Sequence, residues 1–172
     1  MRVSSGFHRG GFDNAVQVHG ELTVLRPVEH RDVELLVNWH DDDEVARYWD
    51  EQRFSRETML ERLAREDVTP FVVEADGKPI GYLQVHPSGL DMFLVPSARG
   101  RGLGPDAARA MARHLIEERG WSRVTVDPYR WNEIAIRGWR NAGFVDVSTH
   151  EADDEHTAPW MLMEFVPYPV RS

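Results

Sequence analysis

A chain of 172 residues with 41% hydrophobic content is long enough to bury a core, while a net charge of −9 lacks the basic face that nucleic-acid binding requires. The absence of cysteine excludes disulfides, thiolate metal ligands and a sulfur nucleophile. No apolar run reaches membrane-spanning length, and the first twenty residues lack the apolar stretch of a signal peptide, so a cytoplasmic setting is the default expectation.

Met1 to Gly20 carries little periodicity and many small residues, and reads as a mobile leader (1–20) ahead of one domain over 21–172. Leu22-Thr23-Val24-Leu25-Arg26-Pro27 has strand character and is stopped by proline. Val33, Leu36, Val37 and His40 then recur at helical spacing after Asp32. Ser55 is placed to cap a helix whose apolar stripe is Met59, Leu60 and Leu63, closed by Arg65-Glu66-Asp67. Phe71-Val72-Val73 and Ile80 to Val85 flank Ala75-Asp76-Gly77-Lys78, an Asp-Gly hairpin. Leu90 to Val95 reads as the next strand. Ala107, Ala108, Met111, Leu115 and Ile116 then form one face of a helix ending at Gly120. Val124-Thr125-Val126 is a short strand, Asn132 opens a last helix, and Gly143 to Ser148 and Trp160 to Val166 are strands around the acidic loop Glu151 to Glu155. The predicted order is β-α-α-β-β-β-α-β-α-β-β, without internal repeats. The eight histidines show no ligand spacing and read mostly as surface or core residues, so no metal is expected.

Between the Leu90 strand and the following helix lies Arg99-Gly100-Arg101-Gly102-Leu103-Gly104. Small residues allow close backbone approach, and the free N–H groups at a helix start favour a pyrophosphate. Pro105-Asp106 stands where a P-loop needs Lys-Ser/Thr, and the glycine spacing differs from the dinucleotide fingerprint. The hexapeptide resembles, at every specified position, the coenzyme A signature of the GNAT superfamily of N-acyltransferases, Gln/Arg-x-x-Gly-x-Gly/Ala. The stretch from Asn132 to Phe144, with Asn at its start and Gly-Phe at its end, resembles that superfamily's downstream helix.

The resemblance implies an α/β (α+β) GNAT fold, a mixed central sheet of about six to seven strands flanked by about four helices. It implies acetyl-CoA as acyl donor. Backbone groups around Phe93, Leu94 and Val95 would meet the pantetheine and thioester, and Arg99, Gly100, Arg101, Gly102, Leu103 and Gly104 the pyrophosphate. Asn132, Ala135 and Trp139 would line the pantetheine arm. Two residues depart from the pattern. Pro105 lacks an N–H, and as a good first helical residue it also has a purely structural reading. Trp139 stands where many members carry a tyrosine proposed to protonate the sulfur. Its indole can donate a hydrogen bond or simply fill the core, and Tyr129 is a weak substitute.

From Glu21 to Val166 the chain most resembles the aminoglycoside 6'-N-acetyltransferases. Thr69-Pro70-Phe71, Gly77 to Gln84, Gly89-Leu90-Asp91-Met92-Phe93 and Val126-Asp127-Pro128 carry this likeness. Asp91 is an acid in an apolar strand, which calls for a partner or a task. By resemblance it would bind the acceptor ammonium and accept its proton. Asp127 is a second catalytic candidate, with a turn-forming Asp-Pro as its alternative. Trp49 and Asp50, beside the acids Asp41 to Glu44 and Glu51, fall in the region expected to cover a polycationic acceptor. A cleft lined by carboxylates concentrates such an amine. The expected function is acetyl transfer to an aminoglycoside amine by direct attack. Two alternatives stay open: acylation of a siderophore precursor, a lysine or a protein N-terminus, and a non-catalytic domain that binds coenzyme A or a cationic drug.

Overall fold

In the computed structural model, which describes residues 16–167, the elements follow the predicted order with one short strand and one short helix added. They are β1 (Val18–His19), β2 (Val24–Pro27), α1 (Val33–Asp41), α2 (Asp43–Ala46), α3 (Arg56–Leu63), β3 (Thr69–Ala75), β4 (Lys78–His86) and β5 (Gly89–Leu94). After these come α4 (Leu103–Glu117), β6 (Thr125–Val126), α5 (Glu133–Ala142), β7 (Phe144–His150) and β8 (Trp160–Phe165). The additions are β1 and α2. With two and four residues they are too short for a periodicity to reveal them.

The caps are local and legible. Ser55 Oγ accepts the Thr58 N–H at 3.1 Å and Asn132 Oδ1 accepts the Ala135 N–H at 3.1 Å, while Gly143 ends α5 at φ +110°. Asp76 and Gly77, at φ +51° and +74°, make the tight turn between β3 and β4. α4 starts four residues earlier than Ala107, directly after the glycine turn.

The leader boundary at Gly20 is corrected. Val18 is buried and pairs with Leu25, and the Asp106 carboxylate of α4 accepts the N–H groups of Glu21, Leu22 and Thr23 and the Thr23 hydroxyl at 2.7–3.1 Å. Ordered structure therefore starts before Glu21, and residues 1–15 of the expected leader lie outside the described residues.

The eight strands form one sheet, ordered β1-β2-β3-β4-β5-β6-β8-β7. Alternation divides the core into two layers. Leu25, Phe71, Val73 and Leu83 pack with Met111 and Leu115 of α4, whereas Val72, Tyr82 and Phe93 pack with Leu36 of α1 and Met59 and Leu63 of α3. No helix among the described residues is long and apolar enough to cross a membrane.

One junction positions the site. The central strands β5 and β6 are parallel and share a single register pair, Gly89 with Thr125. A Cβ on Gly89 would lie 1.6 Å from the Thr125 carbonyl oxygen, so only glycine permits this crossing. Beyond it β5 runs on while β6 follows β8, and the sheet opens into a cleft.

Candidate active site

The cleft has two compartments. The first, about 460 Å³, is lined by Met92, Phe93 and Leu94 of β5, by Gly100, Gly102, Leu103 and Gly104, and by Asn132, Ala135 and Trp139 on the α5 side. Gly100 and Gly102 both sit at φ +76°, a conformation that L side chains rarely adopt, and this turns the backbone into α4. In the first turn of α4 the N–H groups of Leu103 and Gly104 have no helical acceptor, and the positive end of the helix faces this compartment. Pro105, the third helical residue, removes one such donor, while the Asp106 N–H already bonds to Gly102 O at 3.2 Å. Of the residues predicted for this part, Val95 and Arg101 lie outside the lining, and the Val95 N–H is used by Ile80 O at 2.9 Å. The Arg99 guanidinium donates to Leu94 O at 3.1 Å and Glu44 O at 3.0 Å, and lies over the Tyr48 ring. It lines the first compartment and also ties the turn to β5 and α2.

The second compartment, about 270 Å³, brings together all four residues predicted for the acceptor side: Trp49, Asp50, Asp91 and Asp127. Tyr48, Met92, Asn132, Ala135 and Trp139 line both compartments, so the two meet there. Gln84 Nε2 donates to Asp91 Oδ2 at 2.8 Å, while the Tyr82 hydroxyl (2.9 Å) and Arg62 Nη2 (3.2 Å) donate to Gln84 Oε1. Burial pushes the Tyr82 phenol up, keeping it a donor in this chain. The Asp91 side chain keeps 35% of its surface open towards the cleft, with protein crowded against its other sides. That crowding raises its pKa, and nearby Asp127 adds to the rise, opposed by His86 at 3.6 Å and by the Gln84 hydrogen bond. Trp139 is 8% exposed and meets Phe144 edge-on, so it belongs at once to the core and to the junction of the compartments.

At the mouth, Asp50 accepts the Tyr129 hydroxyl at 2.7 Å, and the Tyr48, Trp131 and Tyr129 rings stack at 5.8 and 6.0 Å. Asp50 and Glu51 both hold left-handed backbone, φ +53° and +55°, so local strain is concentrated beside the cleft.

Residues 29–152 match the family described as acetyltransferase (GNAT) domain. The chain belongs to the GNAT acetyltransferases. It is 28% identical over 149 residues to aminoglycoside N(6')-acetyltransferase type 1 of Klebsiella pneumoniae, covering 72% of this chain and 74% of that protein. The aminoglycoside acetyltransferase AAC(6')-Ib, solved with coenzyme A and kanamycin, superposes with a TM-score of 0.74 at 27% identity over 83% of this chain and 93% of the other. A spermidine N-acetyltransferase from Vibrio cholerae, solved with CoA and spermine, shares the fold at a TM-score of 0.72 and 16% identity, covering 84% of this chain and 95% of that one.

In this GNAT acetyltransferase the acids Asp41 to Glu44 do not line the cleft. Asp42 caps α2, Asp43 pairs with Arg53, and Glu44 faces Arg99. Sequence reasoning missed Gln84, Arg62 and Tyr48 as lining residues, and above all His156. Read as an ordinary surface or core histidine, His156 instead binds Asp127 at 2.7 Å in the second compartment. Its one sequence signal is the Asp153-x-x-His156 spacing just before β8. Among the described residues no cluster of three or more His, Cys, Asp or Glu side chains is placed to hold a metal.

Proposed function

We propose that this GNAT acetyltransferase moves an acetyl group from acetyl-CoA to a primary amine of an aminoglycoside-like polycation by direct attack. The observation that carries this reading is the meeting of two unlike compartments, one built for an anion and one lined by carboxylates, at Met92 and Trp139. Their contiguity brings donor and acceptor together, which can supply much of the rate enhancement.

The donor side fits coenzyme A. Free N–H groups at the start of α4 suit a pyrophosphate, and the missing Cβ of Gly104, which would sit 3.4 Å from Leu94 Cδ1, leaves room for an elongated chain. Leu103 and Gly104 would bind phosphate, and Asn132, Ala135 and Trp139 would flank the arm. Acetyl-CoA supplies the electrophilic thioester and the thiolate leaving group.

Asp91 is the base that receives the proton of the attacking amine. Its raised pKa suits that role, and Gln84 fixes its orientation. Asp127, Asp50 and Glu155 draw the cation into the cleft, and Trp49 offers it an aromatic wall. Trp139 can donate its indole N–H to developing charge but cannot protonate it, and the Tyr129 hydroxyl is engaged by Asp50. A second reading draws on Arg62, a guanidinium in this acidic cleft that makes no direct ion pair among the described residues and lies over Trp49 and Phe54. It would suit an acceptor that carries a carboxylate beside its amine, such as a lysine or a siderophore precursor.

The test is free-thiol release from acetyl-CoA with a panel of aminoglycosides, polyamines, lysine derivatives and N-terminal peptides, with mass spectrometry of the products. One acetyl on an aminoglycoside supports the first reading. Turnover of carboxylate-bearing amines alone replaces it with the second. Ligand-induced thermal stabilisation without any thiol release leaves a binding module.

A further inference from the structure

His156 stands out among the titratable groups near the cleft. Its Nε2 lies 2.7 Å from Asp127 Oδ2 and its Nδ1 lies 2.9 Å from Asp153 Oδ1, so both ring nitrogens face carboxylates. Asp153 is itself fixed, accepting the backbone N–H groups of Glu155 and His156 and the Trp160 indole N–H at 3.0 Å. The imidazole stacks on Trp160 at 4.1 Å and 12°, and only 11% of its side chain is exposed. An imidazole with two carboxylate acceptors uses both nitrogens as donors, which is the charged form.

We propose that His156 is a positioning residue of the acceptor site: its imidazolium fixes the Asp127 carboxylate and offsets its charge, so the acceptor ammonium must compete with His156 for Asp127. The charged groups facing it are Asp127 at the end of β6 and Asp153 in its own loop. Tyr129 meets it edge-on at 6.2 Å, and His150 of β7 lies on the far face of Trp160. The two carboxylates hold its pKa above the ordinary histidine value against the opposing effect of burial. Acceptor binding and His156 protonation therefore oppose each other, and an ammonium that engages Asp127 weakens the hold on the His156 proton. As pH rises through the His156 titration, Asp127 is released and the acceptor KM falls.

This inference rests on the amine-acceptor reading above, and the test separates the two. Imidazole titrations followed by NMR in the full chain need no substrate. His156, assigned by His156→Gln, should stay protonated beyond the range of an ordinary histidine, and Asp153→Asn should shift it down while leaving the Asp127 contact in place. With any amine that turns over, His156→Gln retains a neutral donor for Asp127. It should lower the acceptor KM at pH 6.5 by about threefold to tenfold, flatten its pH dependence and leave the acetyl-CoA KM unchanged. A merely structural role would move neither the inflection nor the ratio of the two KM values. His156 titrating at the ordinary value in the wild type, or acceptor-KM profiles that superimpose for wild type and His156→Gln, overturns the proposal. If His156→Gln does not fold, Asp153→Asn decides it, since its inflection must move to lower pH.

Discussion

His40 gives the sharpest stability prediction. Its ring is 1% exposed and boxed by Phe54, Phe93, Trp49 and Tyr82, with centroids 4.7–6.5 Å away. Its Nδ1 is buried without a hydrogen-bond partner among the described residues. Burial, helped by the charge of Arg62, pushes its pKa down to about 4. An unfolded chain takes up the proton near pH 6.5, whereas the folded one refuses it until about 4. Stability from this group is therefore complete above pH 6.5 and is lost as pH falls towards 4. The gap corresponds to about 3 kcal/mol in full, of which about 2 kcal/mol is gone by pH 5. Urea unfolding of wild type and His40→Leu at pH 7, 6, 5 and 4 isolates the effect, because every other titrating group is shared. The leucine variant carries a constant offset from altered packing, and the difference between the two proteins should shift by the stated amounts in favour of the variant as pH falls. Parallel curves would refute the reasoning.

Asp91→Asn should lower turnover by about 10²- to 10⁴-fold, the usual range for removal of a general base. The same change should raise the melting temperature at pH 7.5 and not at pH 4, because a carboxyl with a raised pKa opposes folding only once it ionises; an unchanged or lower value at pH 7.5 contradicts this. Gly89→Ala forces a Cβ onto the Thr125 carbonyl and should cost at least about 3 kcal/mol by urea titration, so a neutral outcome would show that the strand crossing can relax. Gly104→Val should raise the acetyl-CoA KM at least about tenfold while sparing the acceptor KM, and equal effects on both would remove Gly104 from the donor side.

What could be seen in the sequence was local. The glycine turn is legible because anion binding through backbone N–H groups imposes small residues in one short string, and the Asn132 and Ser55 caps because each bonds three residues ahead. Asp91 drew notice as a charge inside an apolar strand. His156 did not, because its meaning comes from Asp127, twenty-nine residues earlier, and from a ring stack with Trp160. Arg99 lines the first compartment as its place in the glycine turn suggests, and the sequence carries no sign that its guanidinium is also held by the carbonyls of Leu94 and of Glu44, fifty-five positions away. The acids from Asp41 to Glu44 read as a binding surface, yet one of them caps a helix too short to announce itself.

The opening of the sheet at Gly89 also divides the labour of the chain. One compartment is assembled largely from a continuous stretch, Met92 to Ala108, with a single helix opposite. The other collects side chains from Trp49 to Gln52, Gln84, Asp91, the segment after β6 and the loop before β8. On the proposed reading, changes that retune acceptor preference therefore fall on positions dispersed along the chain, where they leave the glycine turn and its helix intact. A lineage built on this frame can trade one amine for another while its donor chemistry stays fixed.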